Sequence, residues 1–172
     1  HMRTISLLFL GLMMAGGCGG GFREPWVMGQ DGLYYQPGTG EFYNGEFDHT
    51  IDGERRKGRI VNGRLEGLFT VWYLSGLKKV EWTYVNGVYH GRAQSWFDDG
   101  LTRTDLQFDR GMLVNGTTFK PDGSRASQLE NGTGTLLAYY ANGQLHWEKI
   151  YQGGKRVGQR IYFPDGSLKS VQ

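Results

Sequence analysis

The chain has 172 residues, with 29 Gly, 10 Tyr, 9 Phe, 5 Trp, only 4 Pro and a formal net charge of +2. The length suits one domain, and roughly 12 Gly would be ordinary at about 7 % usage. Gly does not recur at every third position, which excludes collagen. So many aromatic side chains do not fit a disordered chain, and a near-neutral balance makes nucleic acid a poor partner.

His1 precedes Met2 and reads as a cloning remnant. Arg3 then leads an apolar run over residues 5–15, shorter than the roughly 20 residues of a membrane-spanning helix. Its length and order fit a secretory signal peptide, with a buried helix or short anchor as the alternative. Ala15, Gly16, Gly17 and Cys18 resemble the lipobox of bacterial lipoproteins, departing from it at Ala15, where Leu is usual. The resemblance implies lipidation of Cys18 and cleavage before it; an ordinary cleavage site with an incidental Cys is the other reading. Cys18 is the only cysteine, so an internal disulfide is impossible. Gly19, Gly20 and Gly21 would form a tether, and by the same resemblance Gly19 in place of Asp implies the outer membrane. The expected division is a leader over 1–17, an anchor and tether over 18–32, and a repeat domain over 33–172. Loss of Arg3 with the leader takes Lys+Arg from 19 to 18, against 17 Asp+Glu.

In the body, eleven glycines follow Asn or Asp. Asn-Gly stands at 44–45, 62–63, 86–87, 115–116, 131–132 and 142–143, and Asp-Gly at 31–32, 52–53, 99–100, 122–123 and 165–166. Such dipeptides predict type I′ hairpin turns, and the short aromatic and β-branched segments between them predict strands. Gly63, Gly87 and Gly111 are 24 residues apart, and Gly100, Gly123, Gly143 and Gly166 follow at 23, 20 and 23. A regular period of this size marks a repeat array. Three residues before one class of turn glycine stand Ile60, Tyr84, Phe108, Leu129 and Tyr151, a column expected to stack.

The phrases YVNGVYHGRAQSWFDDG and YQGGKRVGQRIYFPDG resemble the MORN-repeat variant family of bacteria, over residues 33–172. The connector between Gly45 and Gly63 and the step between Gly111 and Gly134 depart from that pattern. Both the resemblance and the turn spacing imply an all-β fold. About six tandem β-hairpins would form one elongated, twisted antiparallel meander of roughly twelve strands, on the order of 55 Å across. A single sheet buries little, so the apolar face must roll inward, be covered by residues 22–44, or meet a partner.

No catalytic constellation stands out. His49, His90 and His146 lack metal-ligand spacing. Asp98 and Asp99, like Ser75, Ser124 and Ser167, sit beside turn glycines, which explains them conformationally. There is no nucleophile elbow or phosphate-binding glycine loop. No cofactor, metal or small-molecule substrate is expected.

Two features suit partner binding. Arg55, Arg56, Lys57 and Arg59 crowd one segment; they fit an acidic surface or lipid headgroups, or else a solvated, protective strand edge. Lys155, Arg156 and Arg160 form a similar, weaker group. Aromatic doublets precede the turns, and Trp72, Trp96, Tyr139 and Tyr162 are their expected outward members, unless both faces are covered within the chain. The family resemblance implies an antitoxin- or immunity-type envelope protein that blocks a toxin effector. The alternative is a structural or anionic-lipid-contacting scaffold.

Overall fold

The computed structural model describes residues 25–172 and is all-β. The leader, Cys18 and the glycine tether lie outside the described residues. Strands β1 (Val27–Met28), β2 (Tyr34–Tyr35) and β5 (Arg64–Leu65) are two residues long. The twelve longer ones are β3 (Gly45–Ile51), β4 (Glu54–Val61), β6 (Gly67–Trp72), β7 (Lys78–Val85), β8 (Val88–Trp96), β9 (Thr102–Asp109), β10 (Met112–Phe119), β11 (Arg125–Leu129), β12 (Gly134–Tyr139), β13 (Leu145–Gln152), β14 (Lys155–Tyr162) and β15 (Leu168–Val171). Consecutive long strands pair antiparallel, as the turn spacing predicts. The meander folds once, between β11 and β12, where a lone bridge joins Glu130 to Thr133. It is thereby shared between a nine-stranded sheet, with β3 and β11 at its edges, and a four-stranded sheet of β12 to β15.

The turns differ at the two ends of the strands. One end has two-residue turns, in which Asn62, Asn86, Arg110 and Asn131 all have φ between 47° and 52° and are followed by a positive-φ Gly. The other end has one two-residue turn, Asp52-Gly53, and otherwise longer turns, closed by the N–H of Gly76, Gly100, Gly123, Gly143 or Gly166 donating three residues back. In the longer turns only the glycine is left-handed, and the preceding Ser, Asp or Asn side chain accepts the N–H two residues on instead. The type I′ expectation therefore holds for the two-residue turns, Asp52-Gly53 included, and not for the longer ones.

Two Asn-Gly pairs are not turns. Gly45 opens β3, and Gly116 lies inside β10. Their asparagines serve a different repeat. At the Asn62 end of the strands, the first N–H of each two-residue turn donates to a side chain of the preceding hairpin: Asn62 to Asn44 (2.7 Å), Asn86 to Glu66 (2.7 Å), Arg110 to His90 (3.4 Å), Asn131 to Asn115 (3.3 Å) and Gly153 to Thr133 (3.2 Å). The next N–H, always from Gly, donates to the carbonyl just before that side chain: Tyr43, Leu65, Tyr89, Val114 and Gly132. Each turn is thus stapled twice to its predecessor, which satisfies backbone donors that the strand ladders leave over.

The core forms on one face of the sheets. Phe47, Ile60, Phe69, Val71 and Tyr84 are buried, with Trp82 and Tyr89 against them. Trp26 closes this end, its ring 4.6 Å from that of Phe47 and 5.3 Å from that of His49. At the fold in the meander, β12 lays Leu136 on Leu113 and Leu129, with Phe108, Trp147 and Tyr151 alongside. All five members of the expected column, from Ile60 to Tyr151, lie in these two clusters. The apolar face is thus covered by the N-terminal segment at one end and by the second sheet at the other. At the junction Gly132 approaches Gly154 so closely that a Cβ on Gly132 would lie 2.4 Å from the Gly154 nitrogen.

Candidate partner-binding site

Strand alternation divides the basic segment of β4. Arg55, Lys57 and Arg59 are exposed, while Arg56 turns to the opposite face with buried Gly58 and Ile60, near Glu54. Register then places Trp72 opposite Arg55, and Lys78 opposite Trp72. The Arg55 guanidinium lies 4.9 Å from the Trp72 ring centroid, and the Lys78 ammonium lies 5.8 Å from that of Trp96. A stripe of Arg55, Trp72, Lys78 and Trp96 therefore crosses β4, β6, β7 and β8.

This stripe is held in place. Asp48 accepts two bonds from Arg55, at 2.7 and 2.6 Å, and Glu81 pairs with Lys78. The Arg55 hydrogen bond lowers the Asp48 pKa below the usual carboxylate range, and Asp48 raises that of Arg55. These exposed pairs orient the side chains more than they stabilise the fold. Beside the stripe runs an unbroken polar row of Asp48, Lys57, Thr70, Glu81, Gln94, Asp105, Thr117 and Gln128.

The sequence-predicted residues are only partly gathered. Arg55, Trp72 and Trp96 come together, Lys57 and Arg59 share their face, and Arg56 does not. Tyr139 and Tyr162 belong to the second sheet, where Lys120 approaches the Tyr139 ring at 5.9 Å. The four aromatic residues are half-buried.

A second pattern escaped sequence reasoning. Each longer turn is followed by a bulge that leaves one residue without a strand partner: Lys79, Arg103, Ala126, His146 and Lys169. Each stands six residues after the first residue of its turn: Tyr73, Phe97, Lys120, Tyr140 and Phe163. Four of the five pairs are aromatic with a basic side chain. Lys79, Arg103 and Lys169 lie 5.5, 5.8 and 5.4 Å from their rings, and the Tyr140 and His146 rings are 4.2 Å apart. The remaining pair, Lys120 and Ala126, breaks the pattern next to the fold in the meander. Past it, the Arg103 Nη2 reaches His146 Nδ1 on β13. Burial, then the charges of Arg103, Lys149 and Lys169, lower the His146 pKa to about 4, so its neutral ring accepts the guanidinium N–H.

Among the described residues no group of three metal-ligating side chains occurs. His49 is buried beside Trp26, and Asp99 accepts the Leu101 N–H at 2.9 Å. Two shallow clefts of about 240 and 250 Å³ lie against β10 and β11 and between the turns at Pro121 and Asn142. No protein-family model matches the chain, and no curated protein matches it.

Proposed function

We propose that this chain is a non-enzymatic, lipid-anchored envelope protein whose hairpin array binds another protein. Its most specific form is an immunity- or antitoxin-type inhibitor that docks on a toxin effector. The observation that carries this reading is the stripe of Arg55, Trp72, Lys78 and Trp96, clamped by Asp48 and Glu81 on an open sheet face. Trp and Arg dominate binding hot spots because they offer large contact area, and clamping lowers the entropy lost on docking. The MORN-like repeats support it, and Cys18 would supply the outer-membrane anchor.

The test is a binding titration with the purified product of any toxin or secreted lipase gene adjacent to this one. Tight one-to-one binding that weakens at least about tenfold in Trp72→Ala and Arg55→Ala supports the reading. No binding to, and no inhibition of, any neighbouring effector removes it.

A second reading, an anionic-lipid-contacting scaffold, is favoured by Lys57 and Arg59. Both are exposed on the same face and have no ion pair among the described residues. It requires binding to anionic vesicles that falls steeply with salt, and equal binding to neutral vesicles removes it.

A further inference from the structure

Several basic groups of the two sheets have a carboxylate beside them, while others, such as Lys57 and Arg59, are exposed to water instead. Asp48 faces Arg55, Asp105 faces Arg92 at 2.7 Å, Glu148 faces Arg160 at 2.9 Å, and Glu81 and Glu54 take Lys78 and Lys79. Of the half-buried basic side chains among the described residues, Arg56 and Lys79 have Glu54, whereas Arg103 on β9 and Lys149 on β13 have no carboxylate; Lys149 is in electrostatic range of Arg103 and of Arg156 on β14. The Arg103 Nη2 reaches only the neutral His146 ring, and its Nε, wholly buried, has no hydrogen-bond partner among the described residues. The Lys149 ammonium rests 4.3 Å from the Trp147 centroid and has no ion pair among the described residues. Arg156 donates to Gln159 at 2.6 Å, an amide and not an acid.

Two half-buried cations without a counter-charge are costly, because each has lost water and gained only weak partners. The cost is visible in Lys149, whose pKa burial and the neighbouring Arg156 and Arg103 lower to about 8. Simple removal of such charges is open to any sequence, so their presence here calls for an anion.

We propose that the junction between the two sheets is an oxyanion site, in which Arg103 and Lys149 grip a carboxylate or phosphate group beside His146 and Trp147. The half-buried Arg103 guanidinium and the Lys149 ammonium supply the charge, and Arg156 adds a longer-range positive field. Charged groups near His146 are Arg103, Lys149 and Lys169, all basic, so an anion relieves all of them together. This site is separate from the outer stripe and stands whether or not that stripe binds a protein.

The experiment titrates the purified chain with inorganic phosphate and, separately, with acetate, at constant ionic strength set by chloride. Tryptophan fluorescence and the thermal midpoint are read. The expected result is saturable binding of at least one anion, with a rise in the His146 titration midpoint followed by NMR. Arg103→Met and Lys149→Met should each weaken it about tenfold or more, and Lys155→Met should not. Both core variants are expected to fold, since an apolar side chain relieves the unpaired charge, and circular dichroism checks this. Tighter phosphate binding assigns a phosphate-bearing ligand; tighter acetate binding assigns a carboxylate. No saturable effect of either anion, or equal affinity in folded Arg103→Met, overturns the proposal.

Discussion

The backbone N–H of Asn62 donates to the side-chain oxygen of Asn44 at 2.7 Å, across eighteen residues of chain. Asn44 is thereby a staple between hairpins, not the first residue of a turn. Asn44→Leu should cost about 1 kcal/mol, because the Asn62 N–H loses its acceptor, while Asn44→Asp should cost little. Urea denaturation of both variants checks this, and equal stability of Asn44→Leu and wild type would contradict it.

Leu136 is fully buried against Leu113 and Leu129 where the sheets meet. Leu136→Ala should destabilise by about 2–5 kcal/mol, the range for buried leucine truncation. An exposed leucine such as Leu74, on a turn tip at 86 % exposure, should change by less than about 0.5 kcal/mol in the same assay.

His146 makes stability pH-dependent. Its folded pKa of about 4 lies below the ordinary 6.5, so the unfolded chain binds more protons between these values. Its contribution is fully present above pH 6.5 and is lost as pH falls towards 4. The unfolding midpoint should therefore drop across that window, and more shallowly in His146→Leu. Parallel profiles would show that another group controls the slope.

Arg110 occupies the first position of a two-residue turn with φ of 47°, where three of its equivalents are Asn. Arg110→Asn should raise stability by about 0.5–1 kcal/mol, since Asn tolerates this region better than a long side chain. Thermal unfolding reads the change, and a loss would mean that the Arg110 side chain has a role of its own.

Tyr73 donates its hydroxyl to the Trp96 carbonyl and Tyr140 to that of Tyr162, both at 2.8 Å. Tyr73→Phe and Tyr140→Phe should each cost about 0.5–1.5 kcal/mol in chemical denaturation. Additive losses in the double variant are expected, because the two bonds share no partner.

The strands and turn positions were legible because Gly, Asn and Asp carry local conformational preferences that act before any packing. The Asn44 and Asn115 roles were not, since an Asn-Gly dipeptide looks the same whether its side chain caps a distant turn or its backbone makes one. Period-2 alternation did separate Arg56 from Arg55, Lys57 and Arg59, yet their proximity in sequence suggested one patch. The six-residue interval from Tyr73 to Lys79 or from Phe97 to Arg103 was present in the sequence. Strict alternation hides it, and only the bulge brings each cation towards its ring. The fold between β11 and β12 depends on Leu136 finding Leu113 and Leu129, a long-range contact with no local signature.

Each staple joins a hairpin only to the one before it, and so most of the array is modular. A unit of about 24 residues is the natural increment by which such a chain grows or shrinks at its termini. The link from Arg103 to His146 is different, for it passes over the hairpin carrying Lys120 and Ala126 and measures a set number of units between its two ends. The protein is consequently extensible at its margins and gauged in the middle, and insertions should be tolerated before β9 far better than between β9 and β13.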